Sequence, residues 1–196
     1  MKILLASQKP FAASAVKEIR KIAEDAGHEF ATLEKYASEA ELIEAVKDAD
    51  ALIVRSDKVT AKVVEAADRL RIVVRAGAGY DNLDLDACSA RGVVAMNTPG
   101  QNANAVAELA ICMMIYMARK QFTPGTGSEI QGKTLGIQAF GNVGRLVGAK
   151  AAALGMRVKA IDPFLSPAQI SAGGAEPVAD LKQLYSGCDY LSIHIP

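Results

Sequence analysis

The first hundred residues alternate two hydrophobic patterns with a regular beat. The short runs "KILLAS", "EFATLE", "ALIVRS", "RIVVRAG" and "VVAMNTPG" read as strands, several of them continuous in aliphatic and β-branched residues. Between them, "FAASAVKEIRKIAEDAG" and "TAKVVEAADRL" place apolar positions every three to four residues, which predicts amphipathic helices. Punctuation agrees with the periods. Gly27 closes the first helix, and Ser38 with Glu41 forms the S-x-x-E signature that opens the second. A short helix near "LDLDACSARG" precedes the fifth strand. Five buried strands alternating with helices predict an α/β domain on a parallel sheet covered on both faces.

The beat then changes. "QNANAVAELAICMMIYMARK" is a long helix with hardly any polar face, interrupted only by Glu108 and its ends. A helix apolar all round is expected to be buried on every side, between domains or between subunits. Its Met113, Met114 and Met117 are expected to pack, because methionine fills irregular gaps. "QFTPGTGSEIQGKT" marks a boundary loop. A second α/β unit follows: strand "LGIQAF", helix "GRLVGAKAAALG", strand "RVKAID", helical turns in "SPAQISAGG" and "ADLKQLYSG", and strand "YLSIHI". A doubly wound nucleotide-binding sheet uses two βαβαβ halves, and this stretch reads as one. Strand 135–140 is therefore expected to lack a neighbour on one side, and the chain to be part of a longer protein.

Composition narrows the function classes. The 196 residues are 51% hydrophobic, enough for one large domain or two small ones. Lys+Arg and Asp+Glu each total 22, so charge argues for neither nucleic acid nor a membrane surface. The longest apolar run is too short for a membrane span, and "MKILLASQKP" is no signal peptide. Cys88, Cys112 and Cys188 are scattered, with no C-x-x-C or metal-ligand spacing. A cytoplasmic protein with free thiols and no metal is expected.

The chemistry concentrates in two places. "GIQAFGNVGR" is a phosphate-gripping turn with Ala139 where G-x-G-x-x-G has its first glycine. Between strand and helix, free N–H groups and the helix dipole make an anion site. Gly141 lets a pyrophosphate approach the backbone, and Gly144 lets helix and strand pack closely. Ala139 is expected to make the turn with φ kept negative. Asp162 follows Gly144 by eighteen residues at the end of "RVKAID", placed to accept from the ribose hydroxyls of NAD. The second place is the pair of strand ends "ALIVRS" and "VVRAGAGYDN". Arg55, Ser56 and Arg75, with bare amides around Gly77 and Gly79, suit a small carboxylate or phosphate. Two surface arginines flanking a tight turn remain an equal alternative on these residues alone.

"IVRSDKVT", "VVRAGAGYDNLDLDA", "AMNTPG", "NAVAELA", "GKTLGIQAFGNVGR", "IDPF" and "SIHIP" occur in this order, and together they resemble the D-isomer-specific 2-hydroxyacid dehydrogenase family over nearly the whole chain. The resemblance implies a flavodoxin-like substrate domain over 1–98 and an NAD-binding Rossmann domain over 99–196, incomplete at its C-terminal end, with the active site in the cleft. It implies NAD as cofactor, a phosphorylated 2-hydroxy acid as small-molecule substrate, and a homodimer through helix 103–119. Carried over, Arg55, Ser56, Arg75, Ala76, Gly77, Ala78, Gly79 and Asn102 would meet the substrate. Ala78, Phe140, Gly141, Asn142, Val143, Gly144, Asp162, Pro163, His194, Ile195 and Pro196 would hold NAD. A histidine hydrogen-bonded to backbone at the core edge is an equal account of His194. The family's catalytic Arg, Glu and His would lie beyond Pro196, so this chain is expected to be inactive alone. Its loop "QFTPGTGSE" is shorter than the family's usual segment there. Another D-2-hydroxyacid dehydrogenase, or an NADH-sensing binding module of the same fold, is the alternative.

Overall fold

A computed structural model describes residues 1–195. The chain divides into two compact units, Met1–Pro99 and a second beginning at Gly100. The first runs β1 (Lys2–Ser7), α1 (Ala13–Asp25), β2 (Glu29–Glu34), α2 (Glu39–Val46), β3 (Ala51–Val54), α3 (Ala61–Ala66), β4 (Ile72–Arg75), α4 (Leu85–Ala90) and β5 (Val94–Asn97). All its strands are parallel, in the order β2-β1-β3-β4-β5, the flavodoxin-like arrangement. Leu52, Val54, Val63, Val64 and Val73 are fully buried on one side of the sheet, and Leu5 with Ala23 and Phe30 packs the other. Hence the strands read as continuous apolar runs: both faces are covered. Register sets Val54 opposite Arg75 and Arg75 opposite Asn97, so the carboxyl ends of β3, β4 and β5 lie level.

The second unit runs α5 (Ala103–Ala118), β6 (Thr134–Gln138), α6 (Asn142–Ala153), β7 (Arg157–Ile161), α7 (Pro167–Ala172), β8 (Glu176–Pro177), α8 (Leu181–Ser186) and β9 (Tyr190–Ile193). Its parallel sheet has the order β8-β7-β6-β9. This corrects the expectation of an unpaired strand at 135–140. β6 is hydrogen-bonded on both sides, to β7 and to β9. The physical reason is β8: a two-residue strand carries no readable period, so "YLSIHI" passes for the third strand when it is the fourth. As the fourth it crosses to the other side of β6, and the switch point falls between β6 and β9. A second capping box, Ser166 with Gln169, opens α7: Gln169 Oε1 accepts from Ser166 N at 2.8 Å.

Within this chain α5 is buried on one side only. One stripe, Ala103, Ala107, Ile111, Met114 and Ala118, is buried and packs on α6. The opposite face is exposed: Leu109, Met113 and Met117 are 60%, 57% and 58% accessible. Of the three methionines only Met114 packs in this chain. Beyond α5 the chain makes a left-handed turn through Lys120, Gln121 and Phe122, each with φ between 50° and 58° and none a glycine. Phe122 meets Tyr116 edge-on at 5.2 Å between ring centroids. Among the described residues no helix is long and apolar enough to cross a membrane. Cys88, Cys112 and Cys188 are all free.

Candidate functional site

The turn between β6 and α6 begins at Ala139. Its φ is +71°, which corrects the expectation that the alanine keeps φ negative. The turn geometry is that of the glycine it replaces, held at the steric cost of a Cβ in left-handed space, about 1–2 kcal/mol. Gly144 explains why the geometry is kept. A Cβ there would lie 2.3 Å from Ala139 O and 3.2 Å from Ile137 Cγ2, so α6 rests directly on the turn. Gly141 is the reverse case. It has φ −80°, and a Cβ on it would meet no atom within 4 Å. The fold does not demand glycine at 141, and the bare backbone there leaves room for a ligand to approach. The residues therefore fit a diphosphate laid across the first N–H groups of α6.

Phe140 contributes backbone alone, because its ring is fully buried under the Arg145 guanidinium, 5.6 Å from the ring centroid. Arg145 Nε also donates to Phe140 O at 3.1 Å. Asn142 is exposed, and its Nδ2 lies 3.1 Å from where a Cβ on Gly100 would be, so the turn meets the loop leading to Asn102. Asn102 is itself exposed at the start of α5. Val143 is half-buried on α6. Asp162 stands just past β7. One carboxylate oxygen accepts from Phe140 N and the other from Phe164 N, each at 2.8 Å, across Pro163. Two further acceptor positions on the carboxylate stay available for hydroxyls.

His194 lies at the end of β9, with its N–H donating to Gln138 O at 2.9 Å and Nε2 2.8 Å from Ser192 Oγ. Burial pushes its imidazole below the ordinary histidine value. Ile195 beside it is exposed; Pro196 lies outside the described residues. His28, the other histidine, is half-buried in its turn, and its Nδ1 is enclosed with no partner among the described residues.

In the first unit, Arg55 and Ser56 follow β3 directly and are exposed, while Arg75 ends β4 beside them. Arg75 folds back over Gly77: a Cβ at 77 would lie 1.5 Å from its Nη1. Glycine at 77 is what lets this guanidinium lie along its own loop. Its Nε is enclosed, with no acceptor among the described residues. Ala76 N donates to Val54 O and Gly77 N to Arg75 O. Asn97 Nδ2 holds Ala78 O at 2.7 Å, and Thr98 N holds Gly77 O at 2.9 Å. The N–H groups of Ala78 and Gly79 find no acceptor among the described residues.

Sequence reasoning missed Asp57 and Tyr36. Asp57 is buried; its Oδ1 accepts from Gln8 N and from the Tyr36 hydroxyl, both at 2.7 Å. Burial, then the Asp57 carboxylate, push the Tyr36 phenol well above the ordinary tyrosine value. With Ser56, Glu39 and Thr60 they line a cavity of about 410 Å³. The available signal was a carboxylate directly after a buried strand, in "IVRSD". Among the described residues no three His, Cys, Asp or Glu side chains gather as a metal site.

Comparison with known proteins matches residues 4–191 to the D-isomer specific 2-hydroxyacid dehydrogenase catalytic domain. The chain is 39% identical to D-3-phosphoglycerate dehydrogenase of Rattus norvegicus over 191 residues, 90% of this chain and 36% of that protein. Against the Mycobacterium tuberculosis (strain ATCC 25618 / H37Rv) enzyme of the same name it is 40% identical over 169 residues, 79% of this chain and 32% of that protein. A crystal structure of NAD+-bound 3-phosphoglycerate dehydrogenase from Entamoeba histolytica superposes with TM-score 0.91 at 47% identity, covering 100% of this chain and 63% of that one. The chain thus spans about a third of those curated relatives' length.

Two outcomes follow from the geometry. Gly144→Ala is expected to destabilise the protein by about 1–3 kcal/mol through overpacking, whereas Ala139→Gly stabilises it by roughly 0.5–1 kcal/mol, strain relief less the added chain freedom; urea unfolding midpoints measure both. His194 has a folded-state pKa below its unfolded one, so its neutral form favours the folded state. That contribution is complete above the unfolded value and is lost as pH falls through the lowered one. The difference in unfolding midpoint between wild type and His194→Gln should therefore change across that acid range and stay constant above it.

Proposed function

The chain belongs to the D-isomer specific 2-hydroxyacid dehydrogenase family, and from that premise we propose that it is the binding segment of an NAD-dependent D-3-phosphoglycerate dehydrogenase. NAD+ supplies the acceptor for the hydride leaving the substrate's hydroxyl-bearing carbon. The reaction gives 3-phosphohydroxypyruvate and opens the phosphorylated route to serine. One observation carries the reading. Gly141 has open space over its backbone while Gly144, three residues on, has none, so the turn is shaped for a guest on one side and for its own strand on the other.

In this reading the N–H groups opening α6 hold the diphosphate and Asp162 takes the adenosine ribose. Its negative charge disfavours the extra 2′-phosphate of NADP. Pro163, His194 and Ile195 border the adenosine, and Pro196 continues that border. In the first unit Arg75 and the amides of Ala78 and Gly79 take the substrate carboxylate, and Arg55 and Ser56 add charge and a hydroxyl at the neighbouring strand end. The two histidines sit in a turn and at a strand end, and in this reading the segment binds and orients substrate and cofactor. The exposed face of α5 is assigned to a second copy of the protein, since Leu109, Met113 and Met117 make a continuous apolar stripe.

Calorimetric titration tests the cofactor site. Wild type binds NAD+ more tightly than NADP+; Gly141→Val weakens NAD+ at least about tenfold, near 1.4 kcal/mol, without shifting the unfolding midpoint of the first unit. Equal affinity in that variant removes the reading. Titration with 3-phosphoglycerate, D-lactate and glyoxylate decides the substrate, and binding of an unphosphorylated acid in preference rejects the phosphorylated one. For the α5 face, Leu109→Asp is expected to halve the mass measured by light scattering; an unchanged mass rejects the dimer through this helix.

A further inference from the structure

The Asp162 carboxylate is already engaged before any nucleotide arrives, and its partners identify a second task. Its Oδ2 accepts from Phe140 N in the turn after β6, and its Oδ1 from Phe164 N in the turn after β7, each at 2.8 Å. The preceding amide, Ala139 N, donates to Ile161 O at 2.9 Å. Two consecutive amides of the phosphate turn are thus tied to two consecutive residues at the end of β7. The residue between those ties is Ala139, a non-glycine at φ +71°. Its carbonyl oxygen occupies the space that a Cβ on Gly144 would need. The 139–140 peptide is therefore held at both ends, its C=O against α6 and its N–H on a charged acceptor. A return of Ala139 to negative φ would rotate that peptide and break the charged bond, which is stronger than a neutral one.

We propose that Asp162 is a positioning residue for the phosphate turn: its carboxylate holds Ala139 in the left-handed conformation that aims the amides of Gly141, Asn142 and Val143 at an anion. This adds to the ribose contact and rests on the NAD reading only for the identity of the anion. The chain needs the tie more than a chain with glycine at 139 would, because glycine adopts positive φ without steric cost. Electrostatics alone predicts the opposite sign. A carboxylate beside the turn repels a diphosphate, so removing it should tighten anion binding.

The experiment uses the whole chain, inorganic pyrophosphate as a probe without ribose, and NMR. The four proteins are wild type, Asp162→Ala, Ala139→Gly and the double variant. In Asp162→Ala the Ala139 13Cα shift is expected to leave the left-handed range, and pyrophosphate affinity to fall about tenfold, the size of one lost charge-assisted hydrogen bond. In the double variant the affinity returns to that of Ala139→Gly. Asp162→Asn, which keeps one accepting oxygen, should hold the Ala139 shift and bind more tightly than Asp162→Ala. An unchanged Ala139 shift in Asp162→Ala, or affinity that rises or stays level, overturns the proposal. If Asp162→Ala does not fold, Asp162→Leu, which fills the same space but cannot accept a hydrogen bond, takes its place, and an unchanged Ala139 shift in it overturns the proposal. A wild type that binds neither pyrophosphate nor NAD+ sinks the functional reading, while the Ala139 shift still decides the positioning role.

Discussion

The second unit is built around the contact between α6 and the turn that precedes it, where the missing side chain of Gly144 lets Ala139 O come within 2.3 Å of the would-be Cβ. Everything at the candidate nucleotide site depends on that approach. It sets where α6 begins, and hence where the unpartnered N–H groups of its first turn point. It also dictates the left-handed backbone at 139, at the expense of placing an alanine there. Phe140, buried beneath Arg145, locks the turn from the core side, and Asp162 locks it from the neighbouring strand.

The first unit uses an absent side chain differently. Gly77 does not admit a helix; it admits the guanidinium of Arg75, two residues earlier in the same loop. The arrangement brings a cation and the free amides of Ala78 and Gly79 to one strand end, with Arg55 on the adjoining strand. The Nε of Arg75 is enclosed with no acceptor among the described residues. Both units present polar groups at the carboxyl ends of parallel strands, where the chain leaves the sheet and its N–H groups are free of ladder bonds.

The apolar surface that remains is distributed in stripes. Leu109, Met113 and Met117 lie on one face of α5, and Leu191 and Ile193 lie along the edge strand β9. On α5 the opposite stripe is already packed on α6. That distinction separates the half of α5 which belongs to the unit's own core from the half which does not.

Much of this was legible in the sequence. The continuous apolar runs identified the five strands of the first unit, because a strand covered on both faces has no polar side to alternate. The strand, turn and helix around Gly141 and Gly144 were readable too, because Gly144 must lack a side chain where α6 rests on the turn. What escaped had physical reasons of its own. A two-residue strand such as β8 has no period to read, so the order of the second sheet, with β6 flanked on both sides, needed the fold. The all-apolar sequence of α5 could not say which stripe packs, since that depends on where α6 lies. The sign of φ at Ala139 was beyond the sequence too: local preference favours a negative value, and it is overridden by Gly144 and Asp162, which reach residue 139 only through tertiary contact.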